Sequence, residues 1–472
     1  MTGVGTSSQP ATGTPPDPAS AAPPSAPSPS SPAPFSPSAW GWRPSDWWSS
    51  PPGRLRLVSL VVMVLLVALW ITAFATSQAR QGTLDALSGR PGGGQSATLV
   101  AALRLRSDLA GTDAAATRVR LGGNDGLEVA RQREAYRRAM ADVGVQLVVL
   151  ARAHPDADGG TDADPGSALT VIAQQLSPYG GEVAQAKAAR SELMWRTILP
   201  AADRIVATEQ SRAEHALHRA EATNPLVGVV VLGALTFGAL VSTQIWLVRR
   251  TNRVLNPALA AATVLSAVAV GWTLLAFAAQ HDHIADGRDH GYLPLTRTSQ
   301  ARVLALRAWT DDVRALLDRS DAPRLDADSA AASTRLRHDP ASAPAAGAAG
   351  SDGAGLLAMI AAPGGPDQAA RAALTPAWTD YADIAARIRD GAGRPEGLWP
   401  AALLAQQDAT GALRTFDERS VAVLDASRTH LTDDLTAAAD TVDTLPAALS
   451  ITLGLAAVLT FVGLQLRIND YH

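Results

Sequence analysis

Four stretches of the chain are apolar for about 20 residues each, the length of helix that crosses roughly 30 Å of hydrocarbon at 1.5 Å per residue. They occupy 55–76, 226–248, 258–279 and 446–466, and beyond Arg56 none of them contains Asp, Glu, Lys, Arg or His. Between them the pattern changes to apolar positions three and four apart, the mark of amphipathic helix. Val100, Leu103 and Leu109 share one face, Met140, Val143 and Leu147 a second, and Leu306, Trp309, Val313 and Leu316 a third. The spacing predicts helices resuming near Ser96, over 127–152 and 169–176, and from Tyr179 or Pro200 to Ala222. In the second intervening segment it predicts 298–319, 367–390 and a run from about Trp399 to the membrane. That last run carries Leu424, Leu431, Leu435, Ala438, Val442 and Leu445 on a four-three spacing directly into the fourth apolar stretch, which implies coiled-coil-like packing of a stalk. Pro and Gly clusters set breaks at 90–94, 291–294 and 340–355, and the Asp- and Gly-rich 154–166 reads as a loop. Strand-like alternation of useful length is absent, so the expected fold is an all-α membrane protein with four spans and two helical-bundle modules.

Charge orients this layout. Arg249, Arg250 and Arg253 crowd the short connection between the second and third spans, and short arginine-rich loops stay in the cytoplasm. The expected organisation is a cytoplasmic tail (1–53), a span (55–76), an extracytoplasmic module (77–224), a span (226–248), a cytoplasmic hairpin (249–257), a span (258–279), a second extracytoplasmic module (280–445), a fourth span (446–466) and a cytoplasmic tail (467–472). The first span lies too far from the start and is too long for a signal peptide, so it is read as a retained anchor. A multi-pass plasma-membrane protein with both termini inside follows.

Composition narrows the chemistry. Among 472 residues there is no cysteine, which removes disulfides, thiolate metal sites and cysteine nucleophiles. The tail is rich in Pro, Ser and Ala and is expected to be disordered, apart from Trp40, Trp42, Trp47 and Trp48 ahead of Arg54, which suit the headgroup level. Between His281 and Leu445 there are 24 Asp and Glu against 16 Arg, whereas Ser77 to Asn224 is balanced at 17 of each sign.

The two halves repeat. Ser96, Val100, Ala102, Leu103, Arg104 and Asp108 match Ser299, Val303, Ala305, Leu306, Arg307 and Asp311 in spacing. Trp70 corresponds to Trp272, Tyr179 and Lys187 to Tyr381 and Arg389, and Arg250 and Asn252 to Arg467 and Asn469. A duplicated span, module and span is the economical account of matches that keep one order.

Signatures of nucleotide-binding, hydrolase, kinase or metalloprotease sites are absent, so no enzymatic activity, cofactor or nucleic-acid partner is expected. Arg104, Arg106, Arg302, Arg307, Trp309 and Asp311 are the candidates for recognising a carboxylate or a partner protein, because guanidinium binds carboxylate bidentately and Trp anchors interfaces. Ordinary surface ion pairs are the competing reading at each position. His215, His218, His281 and His283 lie near the membrane and are weak candidates for a metal or pH-responsive site, against a reading as solvated stalk residues. Arg249, Arg250 and Arg253 are candidates for a cytoplasmic partner.

The four-span layout, the run from Trp246 to Pro257 and the ending Arg467, Ile468, Asn469, Asp470, Tyr471 resemble the GlnX-type tandem sensor membrane proteins of actinobacteria. Each module is similar to the four-helix sensory domain of chemoreceptors. The resemblance implies an amino-acid-sensing relay in which an extracytoplasmic solute-binding lipoprotein signals through the membrane protein to cytoplasmic protein kinase G. The rival expectations are a transporter or channel accessory subunit, disfavoured by spans without ionisable groups, and a cell-envelope scaffold.

Overall fold

The computed structural model describes residues 51–88, 94–121, 126–154, 165–183, 191–221, 224–251, 256–337 and 355–469. The chain divides into two units, Met1–Arg54 and Leu55–His472. Only the helical residues 51–54 of the first are described, and the tail and its Trp residues lie outside the described residues. No strand occurs among the described residues. The loop expected at 340–355, apart from Gly355 itself, and most of 154–166 also lie outside them.

Helix α1 (Pro51–Ser88) is the first span with its stalk. The first module follows as α2 (Gln95–Leu121), α3 (Gly126–Ala153), α4 (Pro165–Val183) and α5 (Leu199–Glu221). The second and third spans are α6 (Asn224–Thr251) and α7 (Pro257–Asp286). The second module contains α8 (Leu293–Leu317), α9 (Ala322–Arg337), the short α10 (Leu356–Ile360) and α11 (Gln368–Ala372), and then α12 (Leu374–Ala392), α13 (Leu398–Leu404) and α14 (Thr410–Asp443). Helix α15 (Leu445–Asn469) is the fourth span. Four helical runs are long and apolar enough to cross a membrane, so the chain is a multi-pass membrane protein.

The expected break at 291–294 does not occur. Helix continues from Pro257 to Leu317, 61 residues or roughly 90 Å, through a π-helical stretch at Gly287–Tyr292. A second π-helical stretch, Met194–Ile198, leads into Pro200 just as the first leads into Pro294. Proline cannot donate to the carbonyl one turn back and its ring crowds that carbonyl; a locally widened turn accommodates both problems without ending the helix. The helix expected to stop at Leu176 likewise runs through Pro178 to Val183. There Tyr179, 1% exposed, is fixed by a hydrogen bond to buried Asp113, which holds the chain helical past the proline.

The last helix pair is interrupted at a single residue, Thr444, whose backbone stays in the right-handed helical region (φ −83°, ψ −14°), so the helical run continues through it. Pro446 has no N–H to offer the Val442 carbonyl, and the Gln81 side chain donates to that oxygen instead, at 3.1 Å. The four-three stripe is buried as expected at Leu431, Leu435, Ala438, Val442 and Leu445, with Leu424 half-buried.

Inside the bilayer-length segments, Val62, Leu66 and Leu69 of α1 pack with Val229 and Leu240 of α6, Ala269 of α7, and Leu449 and Leu453 of α15. Large apolar side chains such as Leu60, Ile71, Leu235, Leu275 and Ile451 point outward from this cluster, as hydrocarbon-facing positions must. Beyond the spans, buried side chains of both modules join in one apolar cluster running from Leu84 to Leu445. The modules therefore share a core.

Candidate ligand site between the two helical modules

Helices α2 and α8 bring the modules together along small side chains: Ala101, Ala102, Ala301, Ala305 and Ala308 are all buried. Close approach lets Ser299 donate its hydroxyl to the Leu103 carbonyl, at 3.4 Å. On one side of this seam, α3 and α14 complete a cavity of about 300 Å³. Its apolar wall includes Val100, Leu103, Leu295 and Leu424, and its charged side chains are Arg104, Asp108, Asp142, Arg302, Asp425 and Arg428.

The charges are arranged across the seam. Arg302 of α8 donates through Nε to Asp417 of α14 at 2.6 Å, with a weaker contact from a terminal nitrogen at 3.4 Å, and lies 3.9 Å from Asp108 of α2. Burial works against the charged guanidinium, but Asp417 and Asp108 outweigh it and hold Arg302 above its ordinary pKa. Arg104 of α2 donates to Asp425 of α14 at 2.9 Å. Burial pushes the Asp108 carboxyl up to about 6; Arg302 and Arg104 pull the other way, while Asp142 adds to the rise. Asp142 and Arg428 are exposed and have no ion-pair partner among the described residues.

Of the six positions expected from the sequence, Arg104 and Arg302 reach this cavity and the other four do not. Arg106 pairs with Asp203 of α5 at 2.5 Å. Arg307 stacks on Trp195 of the other module, 5.2 Å from guanidinium carbon to ring centre, and approaches Asp311 and Asp328. Trp309 is fully buried beneath Arg118, at 5.1 Å, and so anchors the interior of the chain rather than an outside partner. Asp311, 3% exposed, has its nearest guanidinium nitrogens at 3.6 and 3.7 Å, and its Oδ2 accepts no hydrogen bond. Burial pushes its carboxyl up to about 7.

The repeat is visible in the geometry, but its acidic member shifts by about one turn between the modules, from five residues beyond Asp108 to one residue beyond Asp311. Asp113 accepts from Tyr179 and Trp195, each at 2.9 Å. In the second module Asp312 accepts from Tyr381 at 2.7 Å, Arg389 at 2.8 Å and Ser329 at 2.7 Å. The matched tyrosines thus meet Asp113 and Asp312, not the matched Asp108 and Asp311. Lys187, the expected counterpart of Arg389, lies outside the described residues.

His215, His218 and His281 are exposed and His283 half-buried. No group of three or more His, Cys, Asp or Glu suited to a metal exists among the described residues. Arg249 is exposed at the end of α6, while the side chain of Arg250 and all of Arg253 lie outside what is described. Sequence reading missed Asp108, Asp142, Asp417, Asp425 and Arg428 as site residues. The first and last three sit on solvated-looking helical faces, and only the seam between α2, α8 and α14 gathers them.

No curated protein and no solved structure matches the chain. Residues 92–218 match the family described as the actinobacterial sensor domain, a segment that spans the whole first module to within three residues of the end of α5, and this supports an actinobacterial sensor protein.

Proposed function

We propose that the chain is a non-enzymatic transmembrane relay whose two modules lie outside the plasma membrane and whose hairpin and termini lie inside. The observation that carries this reading is continuity: one helical run joins the third span to the core of the second module, and another, Leu398–Gln465, joins that module to the fourth span. Both runs are tied to the first module, through Arg302 to Asp108 and through Asp425 to Arg104. A stimulus that favours one packing of the modules would shift these helices by the 1–2 Å typical of such switches and deliver the shift to the hairpin. The sensing role is supported by the family match; the arginine-rich hairpin supports the orientation.

In this reading an amino-acid-loaded lipoprotein engages the modules and protein kinase G reads the hairpin. The chain has no cysteine, so single cysteines can be introduced at will. Cysteines at Asp142, Ala330 and Arg249 should react with an impermeant maleimide in intact cells at the first two positions only. Crosslinking from Arg249→Cys to the kinase should then change with amino-acid supply. Labelling at Arg249 from outside, or crosslinking indifferent to supply, would overturn the proposal.

A further inference from the structure

We propose that the cavity between α2, α3, α8 and α14 binds a neutral, zwitterionic α-amino acid directly, with its ammonium group between Asp108 and Asp142 and its carboxylate on Arg428 and Arg104. The proposal rests on the sensor reading for its purpose, but the site stands on its own geometry.

Size and lining come first. About 300 Å³ is at the small end of ligand pockets, and the wall mixes apolar side chains with a few polar groups, the usual composition of a small-molecule site. Buried Ser107 and Ser299 add hydroxyls to that wall.

Charge then selects the ligand. Three arginines and three aspartates line the space. Arg302 is committed to Asp417, and Arg104 reaches Asp425 through a pair whose members are 41% and 60% exposed, weak enough to exchange for a better partner. Arg302, 3.9 Å from Asp108, is the nearest cation to that carboxylate and is shared with Asp417. What is left is a carboxylate pair, Asp108 and Asp142, the latter with no ion pair among the described residues, and one equally unpaired guanidinium, Arg428. An ammonium relieves the first and a carboxylate the second. A ligand with one of each keeps the cavity neutral. A dicarboxylate would place a further anion beside carboxylates already short of cations, and a diamine would do the reverse at the arginines.

Position supplies a consequence. Asp108 and Asp142 belong to the first module, whereas Arg428 lies on α14, which leads to the fourth span. An occupant held at both ends would bridge the modules and compete with the Arg104–Asp425 pair, so its binding energy differs between packings of the seam.

Calorimetry on the full chain in detergent micelles tests the site, with L-glutamine and L-leucine as probes and L-glutamate, glutarate and putrescine as comparisons. Saturable binding of a neutral amino acid is expected, at least about tenfold tighter than L-glutamate or either single-sign compound. Arg428→Gln and Asp142→Asn should each weaken it about tenfold or more, while melting temperature without ligand should not fall, because neither side chain has an ion pair among the described residues to lose. Absence of saturable heat with both neutral amino acids, or parental affinity in both variants, would overturn the proposal. The relay reading fails separately. Binding without any change in crosslinking at Arg249 supports the site and removes the relay; supply-dependent crosslinking without direct binding removes the site and leaves the relay.

Discussion

Asn256 donates its side-chain amide to the Gly463 carbonyl across 2.8 Å, while its Oδ1 accepts from the backbone N–H of Ala258 at 3.2 Å. One side chain therefore caps the third span and joins the hairpin to the fourth. Removing it by Asn256→Ala should cost about 1–2 kcal/mol, the sum of a lost N-cap and a lost partly buried hydrogen bond. Gly463→Val tests the same junction from the other side. A Cβ there would stand 3.2 Å from that of Ala258, and the branched chain should force the helices apart at a cost of about 1–3 kcal/mol. Thermal unfolding in detergent, followed by fluorescence-detected size exclusion, reads both; unchanged melting would show that the contact does not hold the hairpin.

The stalk has a comparable close approach at Gly291. A Cβ there would lie 2.7 Å from the Leu431 Cα and backbone nitrogen of α14, where no side-chain rotation can relieve the clash. Gly291→Ala should thus destabilise by at least about 1–3 kcal/mol and separate the two stalk helices. Gly411, in α14 itself, has nothing within 4 Å of the same added atom. Gly411→Ala is expected to stabilise by about 0.5–1 kcal/mol through helix propensity alone. Equal melting temperatures for the two variants would contradict the packing described.

Much of this was legible from spacing. The apolar runs that form the spans and the four-three stripe of α14 are local patterns, set by burial along one helix. What spacing could not show is which carboxylate meets which tyrosine. Tyr179 and Tyr381 match in sequence, yet the aspartates they bind differ in register: Asp113 lies five residues beyond Asp108 whereas Asp312 directly follows Asp311, a shift of about one turn between the modules. A helix can slide by a turn and keep its apolar face inward, so hydrophobic pattern leaves that choice open. Prolines misled in the other direction. Pro178 and Pro294 look like terminators, and tertiary anchoring at Tyr179 and a widened turn at Gly287–Tyr292 carry helix past them. Arg302 was recognised as a candidate, but its partner Asp417 is over a hundred residues away, and no local rule pairs them.

Acid should strengthen the seam before it weakens it. Burial raises Asp311 to about 7 and Asp108 to about 6, both above the ordinary carboxylate value near 4. A carboxyl with a raised folded-state pKa binds more protons folded than unfolded, so its contribution is fully present below the unfolded pKa and is lost as pH rises through the folded one. Stability should therefore increase as pH falls from about 7 toward 5. Asp311→Asn should flatten much of that slope and raise melting at neutral pH, since an amide carries no charge into the buried site. A parental pH profile in Asp311→Asn would show that this carboxyl is not the titrating group.

Arg302 offers the sharpest separation of a charge's role from a side chain's bulk. Its side chain is 14% exposed and sits between Asp417 and Asp108, so deleting the cation leaves one close carboxylate partly buried and unpaired and takes the main counter-charge from the other. Arg302→Met keeps most of the volume and should still cost about 3 kcal/mol, near the lower end for a broken buried pair because Asp417, at 29% exposure, retains some water. Adding Asp417→Leu should recover most of the loss, because two apolar side chains replace an ion pair with little net change when both charges go together. Under the same change Asp108 loses its nearest cation, so the single variant should melt higher in mild acid than at neutral pH by a wider margin than the parent does. A double variant no more stable than the single one would mean that packing around Arg302, not its charge, holds α2, α8 and α14 together.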